Sequence, residues 1–168
     1  MKKILLFCFT ALLVWLASAQ ASALLDRLSS PLPAPTLDIP DLQKNIWKTA
    51  DLKGQPAIVN FWATWCPPCR EEMPSMEKAW EKIKDEGIQM LAVSYGEDAD
   101  RVEAFQMDYP MSFPVLLDTS GEVGRNWPVK GLPTTFVIDS EGNIVYQALG
   151  AREWDDDELL DMVRELKK

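Results

Sequence analysis

Hydrophobic and polar positions alternate along this chain with two different periods. Residues 57–62 (A-I-V-N-F-W) form a short, nearly continuous apolar run, which predicts a buried strand. The next stretch changes period. Met73, Met76, Trp80 and Ile83 recur at spacings of three and four, so one helix is predicted over residues 66–86, kinked at Pro74 and ended by Gly87. Residues 88–93 (I-Q-M-L-A-V) predict the next strand. Asp98 or Asp100 can cap a helix that runs to Tyr109 and stops before Pro110. Residues 115–117 predict a strand and residues 122–127 a short helical turn. The apolar runs 134–139 and 144–149, joined by Ser140-Glu141-Gly142-Asn143, predict a hairpin. A last helix opens in the acidic run 155–158, where negative charge suits the helix dipole, and ends at Lys167-Lys168. Before all of these, residues 45–47 suggest a short strand ahead of a turn at Lys53-Gly54. Strands alternating with helices predict an α/β domain: a central mixed sheet with helices on both faces.

The first residues follow a different logic. Lys2 and Lys3 precede an apolar run over residues 4–16, and Ala21-Ser22-Ala23 is an A-x-A cleavage pattern. Residues 1–23 therefore read as an export signal, cleaved after Ala23, with Ala19 as a second site. The alternative is an uncleaved anchor, although the run is short for a membrane span of about 20 residues. Either way the folded part is expected outside the cytoplasm, in a periplasm or its equivalent. Residues 24–35, rich in proline, are expected to form an extended lead-in, and residues 36–168 the domain proper.

Composition narrows the chemistry. Acids outnumber bases 26 to 17, for a net charge of −9, which disfavours nucleic acid as a partner. There is no histidine. Histidine acid–base catalysis, histidine metal ligation and the Ser-His-Asp and Cys-His pairs are thus all excluded. Of three cysteines, Cys8 leaves with the signal, so only Cys66 and Cys69 remain. One pair closing so small a loop constrains almost nothing, which excludes a disulfide-stapled fold.

Cys66 and Cys69 lie in N-F-W-A-T-W-C-P-P-C-R, where a predicted strand gives way to a predicted helix. The unpaired N–H groups and positive dipole end of a helix start favour a thiolate at Cys66, making it the nucleophile. Cys69, one turn on, is placed to resolve a mixed disulfide. Pro67 and Pro68 occupy positions where a missing N–H costs little; they also stiffen the loop and remove donors from the thiolate. A c-type haem site would need histidine where Arg70 stands. A zinc site would need four ligands, and no other cysteine or histidine remains to supply them. A purely structural disulfide is the alternative, and this is a poor place for a staple.

The cysteine segment, together with G-L-P-T-T-F-V-I-D at residues 131–139, resembles the thioredoxin-like fold. More narrowly it resembles the exported TlpA/ResA/CcmG (DsbE) group of thiol–disulfide oxidoreductases. The resemblance runs from about residue 34 to 167. It implies a thioredoxin-like fold with an N-terminal extension and a central insertion, the latter near Tyr95-Gly96-Glu97. It implies that the Leu132–Pro133 bond is cis, with Pro133 against the cysteines, whereas most X-Pro bonds are trans. It also implies that the Leu132 backbone pairs with a client chain. Asn60 replaces the buried aspartate of cytoplasmic thioredoxins and cannot carry a proton. Glu72 stands where the ResA/CcmG group has a glutamate, one turn from Cys69, and could raise thiol pKa values and shuttle protons. Read without the resemblance, Glu72 is an ordinary exposed helix acid, as Glu71 is expected to be. Trp65 and Pro67 are expected on an apolar rim that binds clients, whereas Trp47, Trp62, Trp80, Trp127 and Trp154 are expected in packing roles.

The resulting expectation is a thiol–disulfide oxidoreductase with Cys66, Cys69, Glu72 and Pro133 at its centre and Trp65, Pro67 and Leu132 at its rim. No cofactor is expected beyond the cysteine pair itself. Expected partners are protein thiol or disulfide clients, such as apocytochrome c or an assembly factor, and a membrane electron donor; a monomer is expected. Three alternatives stay open. A thiol oxidase or isomerase of the same fold is one, though oxidants of the DsbA type usually carry histidine between the cysteines. A peroxiredoxin would need threonine at position 63, which is Ala63. The third is a client-binding chaperone with incidental cysteines.

Overall fold

A computed structural model of the chain describes residues 24–167. The expected export signal, residues 1–23, lies outside the described residues. Among those described, no helix is long and apolar enough to cross a membrane.

The core of the fold is three strands: β4 (Ala57–Trp62), β5 (Gln89–Tyr95) and β7 (Thr134–Ile138). β4 pairs in parallel with β5 and antiparallel with β7, so the sheet is mixed as expected. Its residues read as continuous apolar runs because both faces are covered. Along β4, Ile58 and Trp62 enter one core, and Ala57, Val59 and Phe61 enter the other. β6 (Val115–Asp118) extends the sheet beyond β5, while β8 (Asn143–Leu149) adds to β7 through the predicted hairpin.

The helices divide unequally. α1 (Pro67–Ile83), α2 (Ala99–Gln106) and α4 (Asp157–Arg164) cover one face, where Met73, Met76, Val102, Leu159 and Leu160 meet Ile58 and Trp62. The other face carries the short α3 (Glu122–Asn126), a 3-10 turn (Thr49–Leu52) that buries Leu52, and a ribbon of β2 (Asp38–Pro40) and β3 (Ile46–Lys48). There Trp127 packs against Phe61 and Phe136, with ring centroids 5.2 and 5.5 Å away. The segment after Tyr95, expected as a central insertion, supplies α2 and the edge strand β6.

Boundaries follow capping. Asp98 caps α2 by accepting from Arg101 N–H, and Asp156 caps α4 by accepting from Glu158 and Leu159 N–H. α1 continues through Pro74 without a break. Arg70 and Pro74 are both exposed, so the missing N–H falls on the solvent side, where water can satisfy the Arg70 carbonyl.

The lead-in differs from expectation in its boundary. Residues 26–33 are extended, as expected, and they dock on the body: they form β1 (Asp26–Pro33), antiparallel to β8, and complete a six-stranded sheet ordered β1-β8-β7-β4-β5-β6. Pro31 and Pro33 are compatible with this because β1 is an edge strand, and its register shifts between Arg27 and Leu32. The body therefore begins before the expected boundary at residue 36.

Candidate active site

β4, an interior strand, delivers the chain to the end of the sheet, and the turn after it brings Cys66 to the start of α1. Cys66 is the N-cap, with extended backbone, and its carbonyl accepts from Arg70 N–H at 3.2 Å. Pro67 and Pro68 fill the first two helical positions and offer no N–H. Cys69 N–H is thus the first free donor of the helix, and it points at Cys66 Sγ, 3.3 Å away. The two sulfurs are joined as a disulfide, with the Cα atoms 5.3 Å apart. Cys66 is 3% exposed and Cys69 is fully buried, so the two sulfurs are unequal in access.

Cys66 opens onto a groove of about 430 Å³. Trp65, 58% exposed, stands on its rim with Pro67, and Leu132 forms the opposite side. The Leu132–Pro133 bond is cis, as the resemblance implied. Tyr95 lines the groove as well, held against Gly124, where an added Cβ would lie 2.6 Å from the ring. Only glycine permits that approach.

Glu72 lies one helical turn beyond Cys69 and is 2% exposed, quite unlike the exposed Glu71. Asn60 and Thr135 are directly paired residues of β4 and β7, and Asn60 Nδ2 donates to Thr135 Oγ1 and to Glu72 Oε1, each at 2.8 Å. Glu72 Oε2 accepts from Trp154 Nε1 at 3.0 Å and from Arg152 N–H at 3.2 Å. These donors favour the carboxylate, but burial outweighs them and pushes the Glu72 carboxyl up to about 7. A carboxyl that titrates near neutrality can both take and give a proton under ordinary conditions.

A second buried carboxylate holds the cysteine loop. Glu97, just after β5, accepts from Thr64 N–H and Ser94 Oγ through Oε2, and from Thr64 Oγ1 through Oε1. Arg101 balances its charge, with Nε 3.0 Å from Oε1. Thr64 immediately precedes Trp65 and Cys66, so this grip fixes the path of the loop that presents them.

The structure thus brings together Trp65, Cys66, Pro67 and Leu132 around one groove, with Cys69 and Glu72 beneath it. Sequence reasoning placed Trp154 only in packing and left Glu97 as part of the central insertion; no local signal reveals either contact, since one spans 82 residues and the other 33. Among the described residues, no cluster of acidic or cysteine side chains is arranged to hold a metal.

A mixed sheet flanked by helices, with a Cys-Pro-Pro-Cys pair at a helix start and a cis bond after Leu132, which lines the same groove as Cys66, is the architecture of a thioredoxin-like thiol–disulfide oxidoreductase. Residues 32–147 match the AhpC/TSA family model, and the chain belongs to that family. Within it, the thiol–disulfide oxidoreductase ResA of Bacillus subtilis is 37% identical over 125 residues, spanning 74% of this chain and 70% of that protein. The crystal structure of a thiol:disulfide interchange protein of the thioredoxin family from Chlorobium tepidum superposes with a TM-score of 0.70. It is 31% identical and covers 81% of this chain and 98% of its own. The structure of MTB dsbF in mixed oxidized and reduced forms gives a TM-score of 0.71 at 28% identity, covering 81% of this chain and 99% of its own.

Proposed function

We propose that this oxidoreductase works in the periplasm as a reductant of specific exported proteins. The observation that carries the reading is the inequality of the two sulfurs: Cys66 caps a helix and faces a groove, while Cys69 is sealed beneath it. In the reduced protein, the Cys66 thiolate attacks one sulfur of a client disulfide, forming a mixed disulfide and releasing the other client sulfur, which takes a proton. Glu72 accepts the Cys69 proton. The Cys69 thiolate then attacks Cys66 Sγ, closing the internal disulfide and releasing the second client sulfur, which also takes a proton. Two electrons pass to the client, which leaves as a dithiol. Trp65, Pro67 and the Leu132 backbone hold the client chain, and Pro133 sets the wall beside Cys66. The Cys66–Cys69 pair serves in place of a cofactor.

The compartment rests on the export signal read in residues 1–23. The direction of electron flow, an apocytochrome c or assembly-factor client, a membrane donor that restores the dithiol, and a monomeric state all extend the resemblance. An oxidase or isomerase would use the same site in other directions, so the reduction potential separates them. A value near about −270 mV fits a reductant, and one near about −120 mV an oxidant. The site assignment is tested by trapping. Cys69→Ser should accumulate mixed disulfides with a peptide disulfide, and Cys66→Ser should accumulate none. Equal trapping by both variants would overturn the assignment of attacking and resolving sulfurs, and full cellular function in a Cys66→Ala/Cys69→Ala variant would favour a chaperone.

A further inference from the structure

The groove beside Cys66 departs from the rest of the molecule in charge. The chain carries a net charge of −9, yet no acidic side chain lines the groove. Two cations do: Arg125, from α3, and Lys130, from the loop leading to Leu132. Away from the groove, Lys78, Lys82, Lys84, Arg101, Arg164 and Lys167 pair with carboxylates, while Arg27 and Arg70 lie over the rings of Tyr146 and Tyr109 instead. Arg125 and Lys130 are exposed and form no ion pair among the described residues. Arg125 donates to the Ser120 carbonyl at 3.0 Å, which holds its guanidinium without neutralising it.

The backbone gives this charge a direction. Leu132 N–H and C=O make no hydrogen bond among the described residues, while the neighbouring Pro133 carbonyl is taken by Gly150 N–H at 2.9 Å. An extended chain that pairs with Leu132 beside Cys66 continues along residues 130–132 and passes Lys130. We propose that the groove selects client disulfides whose cysteine is flanked, within a few residues, by aspartate or glutamate. The apolar walls formed by Trp65, Pro67 and Leu132 take the apolar part of the segment, and Arg125 and Lys130 take its charge. This rests on the reading that Cys66 is the attacking sulfur and that the client lies along Leu132. Rim charges of this kind act mainly on association and weaken with salt.

Three synthetic peptides test it, each with one cysteine as a symmetric disulfide, identical except for flanking Glu, Gln or Lys residues. Their reduction by the reduced protein is followed at low salt, with each rate divided by that of the same peptide with dithiothreitol. The expected order is Glu, then Gln, then Lys, with roughly fivefold between neighbours. The order should collapse towards unity at high salt, and at low salt in an Arg125→Gln/Lys130→Gln variant. The salt series on the unaltered protein decides the matter even where that variant folds poorly. Reaction with the Gln peptide but no charge order, or an order led by Lys, overturns this proposal alone. Failure to reduce even the Gln peptide overturns the exchange reading, and this proposal with it.

Discussion

Trp154 Nε1 donates to Glu72 Oε2 at 3.0 Å, so a residue just ahead of α4 closes the buried pocket around a carboxyl on α1. That carboxyl titrates at about 7 in the folded chain, against an ordinary 4.5. Between these values the folded protein holds a proton that the unfolded chain has released, so stability falls as pH rises through the window. The contribution is complete below pH 4.5 and lost above 7; at about 1.4 kcal/mol per pH unit it amounts to roughly 3 kcal/mol. Glu72→Gln should remove this slope and leave the variant more stable than the parent at pH 8. Glutamine can keep the Trp154 and Arg152 bonds, and Asn60 can turn its amide to present Oδ1, which has no partner among the described residues. Urea denaturation from pH 4 to 8 checks this; parallel profiles for parent and variant would sink the argument.

Trp154→Phe should separate the pocket's packing from its electrostatics. The ring volume is largely kept, but Oε2 retains only the Arg152 N–H. A lost bond to a carboxylate costs about 1.5–3 kcal/mol, whereas a bond to the neutral acid is worth less. The destabilisation should therefore be larger at pH 8 than at pH 5, and the Glu72 titration should move above 7. A cost that is equal at both pH values would mean that the indole acts only by filling space.

Glu97→Gln should loosen the loop that carries Cys66. Glu97 receives two donors from Thr64, one from Ser94 and a charge from Arg101, and a glutamine must turn its NH2 towards some of them. Leaving a buried donor unmatched costs about 1–3 kcal/mol. The change should also slow exchange with a peptide disulfide more than with a small, uncharged one, because only the peptide needs Trp65 and Leu132 in register. Equal slowing of both would mean that Glu97 supports the fold without positioning the rim.

What could be read from the sequence was whatever is written locally. The strand–turn–helix change of period placed Cys66 at a helix start, and the cap of α2 was narrowed to Asp98 or Asp100, of which Asp98 serves. Buried strands betrayed themselves by apolar runs. Glu72 is the intermediate case: its distance from Cys69 along the helix was legible, but its burial was not, because Asn60, itself tied to Thr135, and the Arg152 and Trp154 segment converge on it from elsewhere in the chain. Glu97's grip on Thr64 is likewise a tertiary contact between polar residues that look solvated in isolation. The proline-rich residues 26–33 misdirected the reading for a different reason. Proline speaks against a central strand and says nothing against an edge one.

That edge strand carries the last prediction. β1 covers the outer side of β8, Leu25 is buried in the core shared by α1 and α4, and the Leu24 carbonyl accepts from Arg152 Nε at 3.1 Å. Arg152 in turn supplies the backbone N–H on Glu72. A chain that begins at Ala34 should lose the Leu25 burial, about 1.5–3 kcal/mol, together with the β1–β8 ladder. Its β8 edge would then be free to pair with another copy. The unfolding free energy from urea denaturation should fall by at least that much, and sedimentation should reveal stronger concentration-dependent association than in the longer chain. If the shortened chain kept the stability and the association state of the longer one, residues 24–33 would be an extended arm that merely rests on the domain.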